Sequence, residues 1–130
     1  MSNSERMAQL AIQVEAGSYL LELRREKDLS LAKVTKLTDI SSNYLSEIER
    51  GLKAPSDTVI RELAKVYEAD ENEIFEKYHK IPLSVKEALN NSQVLRRTLA
   101  EIEQNKKLTE EQKIEIYTEL YRLYKKYVDE

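Results

Sequence analysis

The chain has 130 residues, with 24 Asp and Glu against 21 Lys and Arg, a net charge of −3, and no Cys, which excludes disulfides and thiolate metal sites. No stretch reaches the ~18 apolar residues that a membrane span needs, and no signal-peptide pattern opens the chain, so we expect a cytoplasmic protein. Charged residues make up 35% of the chain and Gly and Pro occur twice each, a composition that predicts an all-α protein.

The first predicted element is an N-terminal helical extension over residues 1–16. Ser4 can cap a helix that begins at Glu5. The apolar residues recur at spacings of three and four, as on one helix face: Met7, Leu10, Val14 and, further on, Leu21. This stripe predicts docking on the C-terminal helices or on a partner chain, and the alternative is a frayed leader.

Two short helices joined by a turn, over residues 31–38 and 42–50, form the centre of the predicted fold. Ser30 and Ser41 can accept from the free amides at the two helix starts, and Gly51 can close the second helix. The apolar side is predicted to comprise Val34, Leu37, Ile40, Leu45 and Ile48. The polar side is predicted to comprise Ser42, Asn43, Ser46 and Glu47. Small side chains rich in donors and acceptors suit the reading of base edges in a major groove.

Three further helices surround this pair. One runs over about residues 18–27, Ser56 can cap one over residues 57–67, and Asp70 can cap one from residue 71 to about 78. The apolar residues of the last two form a wide face: Val59, Ile60, Leu63, Val66, Ile74, Phe75 and Tyr78. The sequence therefore predicts five helices around one small core.

Part of this region resembles the phage-repressor-type, or xenobiotic-response-element, helix-turn-helix family. The resemblance runs from about residue 17 to residue 78 and is carried by Leu29-Ser30-Leu31, Asp39-Ile40-Ser41, Tyr44-Leu45-Ser46-Glu47-Ile48-Glu49-Arg50-Gly51 and Pro55-Ser56. It implies a five-helix repressor-type helix-turn-helix domain over residues 17–79 that binds double-stranded DNA. The family pattern differs at Thr35 (usually Ala), Asp39 (usually Gly) and Leu31 (often Gln).

The resemblance also implies roles for individual residues. Base contacts are implied for Ser42, Asn43, Ser46 and Glu47. Phosphate contacts are implied for Lys33, Lys36, Tyr44 and Lys53. A structural ion pair between Arg24 and Glu49 is implied to fix the first helix against the recognition helix. Residues 17–78 hold ten Lys and Arg against thirteen Asp and Glu, so DNA affinity must come from the local placement of cations.

A linker at residues 80–83 leads to a C-terminal region, residues 84–130, that predicts a helical hairpin for oligomerisation or regulation. Ser92 can cap a helix that ends near Asn105. A capping box formed by Thr109 and Gln112 predicts a last helix from residue 110 to residue 128.

The last helix has two adjacent apolar seams with a four-three-four spacing. One seam comprises Ile116, Leu120, Leu123 and Tyr127, and the other comprises Tyr117, Tyr121, Tyr124 and Val128. Together they are too broad for one small helical neighbour. We therefore expect the hairpin to bury one seam and to offer the other to a second copy of the chain. The expected dimer interface comprises Tyr117, Leu120, Tyr121, Tyr124 and Val128.

Catalytic and metal-binding patterns are lacking in the sequence. The one His, His79, falls by the predicted linker, and there is no Gly-rich phosphate loop and no HExxH motif. We expect no enzyme activity, no metal and no cofactor.

The favoured interpretation is a homodimeric transcription regulator, a repressor acting on a pseudo-palindromic operator. The alternative is a protein-interaction adaptor, like an antitoxin or anti-repressor, that uses the helix-turn-helix as a scaffold and the Tyr-rich last helix to bind a partner. Both interpretations leave room for a regulatory protein or peptide as a further partner.

Overall fold

The computed structural model describes residues 1–129 and contains, over those residues, eight α-helices and no strand, which confirms the all-α prediction. The helices are α1 Asn3–Glu26, α2 Leu31–Leu37, α3 Ser42–Glu49, α4 Asp57–Tyr67, α5 Glu71–Lys77, α6 Leu83–Asn91, α7 Gln93–Gln104 and α8 Glu110–Val128. The chain divides into two compact units, residues 1–86 and the residues from Glu87 onward. Glu130, the last residue of the predicted C-terminal region, lies outside the described residues.

Side-chain caps set the starts of the helices. The hydroxyls or carboxylates of the predicted cap residues accept from amides of the first helical turn at Ser30, Ser41, Ser56, Asp70, Ser92 and Thr109. The prediction was wrong for α1, where Ser2 rather than Ser4 is the cap and accepts from the Glu5 amide at 3.2 Å. Because the helix starts two residues earlier than predicted, Ser4 lies inside it, and its hydroxyl is 3.1 Å from that of Ser2.

Helix α1 runs without a break through Gly17, so the predicted extension and the predicted first helix form one element of 24 residues. A Cβ at Gly17 would lie 2.3 Å from the Ile48 carbonyl oxygen, so only glycine allows α1 to approach the end of α3 this closely. Gly51 has φ +78, and a Cβ there would lie 2.6 Å from the Val14 Cα. Two glycines therefore make the contact between α1 and the end of α3 possible.

The first unit has a continuous buried core. Its buried apolar side chains are Ala16, Leu20, Val34, Ile40, Leu45, Ile48, Ile60, Leu63, Ala64, Tyr67, Ile74, Phe75 and Tyr78. The prediction that Leu37 faces this core is wrong, because Leu37 is 53% exposed. The Thr38 hydroxyl donates to the Val34 carbonyl at 2.8 Å and accepts from the Ile40 amide at 3.1 Å. This turn ends α2 at Leu37 and returns the chain to the core with Ile40.

The second unit lacks a buried core, because none of its residues between Glu87 and Asp129 is buried. Lys113 of α8 contacts the Glu103 carboxylate of α7 at 3.6 Å, and the Tyr117 hydroxyl donates to the same carboxylate. An apolar groove between these helices is lined by Val94, Leu95, Leu99, Ile102, Ile116 and Leu120.

The two apolar seams of α8 are not divided as predicted, with one packed inside the hairpin and the other left exposed. Ile116 and Tyr117, from different seams, both line the groove against α7. Later residues of both seams are more than half exposed: Leu120, Tyr121, Leu123, Tyr124, Tyr127 and Val128. Because α8 has 19 residues and α7 has 12, α8 is longer by about 10 Å. The first residues of both seams therefore pack against α7, and the later residues of both seams are exposed.

Candidate nucleic-acid interface

Helix α3 presents one polar side and one buried side. Leu45 and Ile48 are fully buried in the core of the first unit, whereas Asn43 on the opposite side is exposed. The Ser41 hydroxyl accepts from the Tyr44 amide at 3.1 Å and fixes the start of the helix. The apolar side thus anchors the helix and leaves its polar residues facing outward.

Ser42 links α3 to α2. Its hydroxyl lies 2.9 Å from the Thr35 hydroxyl, and the pair is partly buried. The Thr35 side chain thus adds a hydrogen bond between α2 and α3. One of the predicted base-contacting hydroxyls is therefore engaged within the protein.

Asn43, Glu47 and Lys53 form a chain of polar contacts across the outer side of α3. The Asn43 Nδ2 donates to Glu47 Oε1 at 3.1 Å, and the Lys53 Nζ lies 3.2 Å from Glu47 Oε2. The Glu47 side chain is 19% exposed and that of Lys53 is 55% exposed. Both oxygens of the one carboxylate on this side are thus occupied by donors of the same chain.

The remaining predicted contacts of α3 lie around this trio. Tyr44 packs partly against the core, and the Lys53 Nζ lies 6.0 Å from the centre of its ring. Ser46 accepts from the Arg50 Nε at 3.2 Å. Arg50 is an exposed cation that the sequence reasoning missed, although its four-residue spacing from Ser46 was the available signal.

Helix α2 carries two further cations. Lys33 and Lys36 are both exposed on this seven-residue helix. With Lys53 in the loop after α3, the structure has three exposed predicted phosphate-contacting lysines on the two helices of the motif and the loop that follows. This local grouping is what an acidic protein needs to approach a polyanion.

The Arg24–Glu49 pair joins α1 to the end of α3. Arg24 Nε donates to Glu49 Oε2 at 2.7 Å and Nη2 donates to Oε1 at 3.0 Å, with side chains 14% and 6% exposed. A third donor, Nη1, reaches the Leu29 carbonyl at 2.8 Å, just before α2. The hydrogen bonds that Arg24 donates to Glu49 raise the pKa of Arg24. One guanidinium therefore holds α1, the start of α2 and the end of α3 together.

Two further features are absent from the part of the chain that the structure describes. No three His, Cys, Asp or Glu side chains there are grouped as metal ligands. No helix between residues 1 and 129 combines the length and the apolar character that crossing a bilayer requires.

Comparison with known proteins agrees with this geometry. Residues 15–75 match the helix-turn-helix domain family. Two relatives from Mycobacterium tuberculosis, both named uncharacterized HTH-type transcriptional regulators, are 35% identical over 49 residues, one from strain CDC 1551 / Oshkosh and one from strain ATCC 25618 / H37Rv. The match covers 38% of this chain and 35% of each relative, so the chain spans about a third of the length of the curated relatives it matches.

Proposed function

From the match of residues 15–75 to the helix-turn-helix domain family, we propose that this protein binds double-stranded DNA as a sequence-specific transcription regulator. The observation that carries the proposal is the polar side of α3, which stands outward while Leu45 and Ile48 fix the helix from behind. In this mode α3 enters the major groove and Asn43 reads a base edge. Ser42, Ser46 and Glu47 stand on the same side of the helix.

Phosphate contacts come from the exposed cations around α3. Lys33, Lys36 and Lys53 place positive charge beside the reading helix, and Tyr44 supports Lys53 through its ring. Phosphate contacts orient the protein on the duplex without specifying sequence. Because the whole chain carries −3, these lysines supply the attraction that brings the two acidic molecules together.

The proposal includes a homodimer formed by the C-terminal hairpin. A unit of about 40 residues in which no described residue is buried needs an additional surface to be stable. Leu120, Tyr121, Tyr124 and Val128 offer that surface, and tyrosines are favoured in interfaces. Tyr117, bonded to Glu103, is the inner member of the predicted set.

Two copies would place two α3 helices in successive major grooves about 34 Å apart, on a pseudo-palindromic operator. We propose that occupancy of such a site represses transcription in the cytoplasm. No cofactor and no catalytic step is part of this mechanism.

A second candidate is the adaptor, in which the exposed tyrosines of α8 capture another protein. The acidic carboxylate of Glu47 on the polar side of α3 and the net charge of −3 favour it. An adaptor has no sequence preference for DNA, so the experiment below separates the two candidates.

The test is selection of bound sites from a randomised duplex pool, with the wild-type chain, Asn43→Ala and the control Asn91→Ala. Asn91 is an exposed asparagine at the end of α6. We expect the wild type and the control to select the same motif, and Asn43→Ala to lose preference at one position in each half-site, by about 1–3 kcal/mol. A wild-type pool that stays random would overturn the proposal.

A further inference from the structure

The amide of Asn43 has a fixed orientation. A carboxylate only accepts hydrogen bonds, so the Asn43 atom that lies 3.1 Å from Glu47 Oε1 must be the Nδ2 donor. The other carboxylate oxygen lies 3.2 Å from the Nζ of Lys53, whose side chain is 55% exposed. Asn43 therefore keeps one free N–H and the Oδ1 acceptor for a partner outside the protein.

That remaining set of groups matches one base better than another. In the major groove adenine offers the N6 donor and the N7 acceptor, which one acceptor and one N–H satisfy together. Guanine offers two acceptors, O6 and N7, which need two donors. A free asparagine has two N–H donors for guanine, but an asparagine held by Glu47 has one.

We infer that Glu47 is a positioning residue that makes Asn43 read adenine and reject guanine, rather than a residue that contacts a base itself. The inference rests on the proposed function, because it needs α3 to lie in a major groove. Each Glu47 oxygen already faces a donor of the same chain, Asn43 at one and Lys53 at the other, so a cytosine N4 donor would have to compete with both contacts. Glu47 contributes to recognition by orienting the side chain of Asn43, one helical turn before it.

The charge of Glu47 has a separate effect, which a test must remove. Deleting a carboxylate near phosphates raises affinity for every duplex, whatever its sequence. Asp39, an exposed residue in the turn between α2 and α3, provides the matched control. Asp39→Asn removes the same charge near the same helix without touching Asn43.

The experiment compares sites selected from a randomised duplex pool by the wild-type chain, Asn43→Ala, Glu47→Ala and Asp39→Asn. The position where Asn43→Ala loses its preference identifies the base that Asn43 reads. There we expect adenine for the wild type and for Asp39→Asn. For Glu47→Ala we expect the ratio of adenine to guanine to fall at least about fivefold, while overall affinity rises.

Lys53→Ala is a second measurement that leaves the Asn43–Glu47 bond intact. We expect it to lower affinity for all duplexes and to keep the preference for adenine. If Glu47→Ala and Asp39→Asn select adenine equally strongly at the position set by Asn43, Glu47 acts only as a charge and the inference is wrong. If the wild type selects no motif at all, the proposed function fails first and the inference fails with it.

Discussion

The two units of this protein use similar helix signals but differ in what holds the helices in place. In residues 1–86 every helix up to α5 contributes fully or nearly fully buried side chains, whereas no described residue from Glu87 onward is buried. Both units have well-defined caps, including the capping box of Thr109 and Gln112 in the second. Capping residues therefore determine where helices begin, but only the first unit has a core that fixes their arrangement.

The largest effect is expected where the first unit depends on one buried ion pair. Arg24→Ala leaves the Glu49 carboxylate, with a side chain 6% exposed, without its bidentate partner. We expect the free energy of unfolding of this unit to fall by about 3–5 kcal/mol in denaturant titrations. Arg25→Ala, at the exposed neighbouring position, serves as the control. Equal stability of the two variants would show that the pair does not hold the domain together.

Substitutions in the second unit are expected to change the association of two chains rather than the stability of the folded unit. The rings of Tyr121 and Tyr124 lie 6.2 Å apart, centre to centre, and the two residues are 59% and 56% exposed. Tyr121→Glu combined with Tyr124→Glu replaces both rings with charged side chains. We expect the dimer to weaken by at least about 2 kcal/mol, seen as a lower sedimentation mass. Lys126→Glu, on the opposite side of α8, should leave the mass unchanged. A wild-type mass equal to one chain at tens of micromolar would remove the dimer.

A smaller loss of stability is expected at the contact of α1 with α3. Alanine is favoured over glycine within a helix by about 1 kcal/mol, so propensity alone predicts that Gly17→Ala stabilises the protein. The new Cβ would lie 2.3 Å from the Ile48 carbonyl oxygen, and separating the two backbones costs about 1–3 kcal/mol. We expect a net loss in thermal unfolding, with Ser18→Ala as the exposed control. A gain in stability would mean that α1 and α3 are less tightly apposed.

The smallest effect concerns Asp57 at the start of α4. Lys86 donates to its carboxylate at 2.8 Å, and Lys80 forms a second ion pair with it. The hydrogen bonds from Lys80 and then from Lys86 lower the pKa of Asp57 from its ordinary value. Because the folded state favours the charged form, this stabilisation is present above the unfolded pKa and is lost as the pH falls below about 4. Asp57→Asn should cost less than about 1 kcal/mol at pH 7, and the difference from wild type should shrink in acid. A constant difference between pH 7 and pH 3 would contradict this origin.

Local signals in the sequence predicted most of the fold. The cap residues Ser30, Ser41 and Ser56 and the capping box of α8 lie at the expected positions because a helix start depends on a few adjacent residues. The continuity of α1 could not be predicted, because the reason for Gly17 is a carbonyl 31 residues away in the chain. Leu37 fits the apolar period, but the hydrogen bonds of Thr38 end its helix at that residue.

The candidate site shows the same limit. The contact between Asn43 and Glu47 can be predicted from the sequence, because residues four apart on a helix are neighbours. The approach of Lys53 to the second carboxylate oxygen depends on how the loop after Gly51 folds back, and no local pattern specifies that. The Thr35–Ser42 bond likewise requires the crossing of α2 and α3.

The most direct test of the proposed function is the binding of random-sequence duplex DNA as a function of salt concentration. Three exposed lysines, Lys33, Lys36 and Lys53, in each of two copies would neutralise about six phosphates, so log K should fall against log salt with a slope of about −5. Replacing Lys33 and Lys36 by Ala together should make that slope markedly shallower. Absence of binding at about 50 mM salt, or binding that does not change with salt, would contradict a DNA-binding role for this protein.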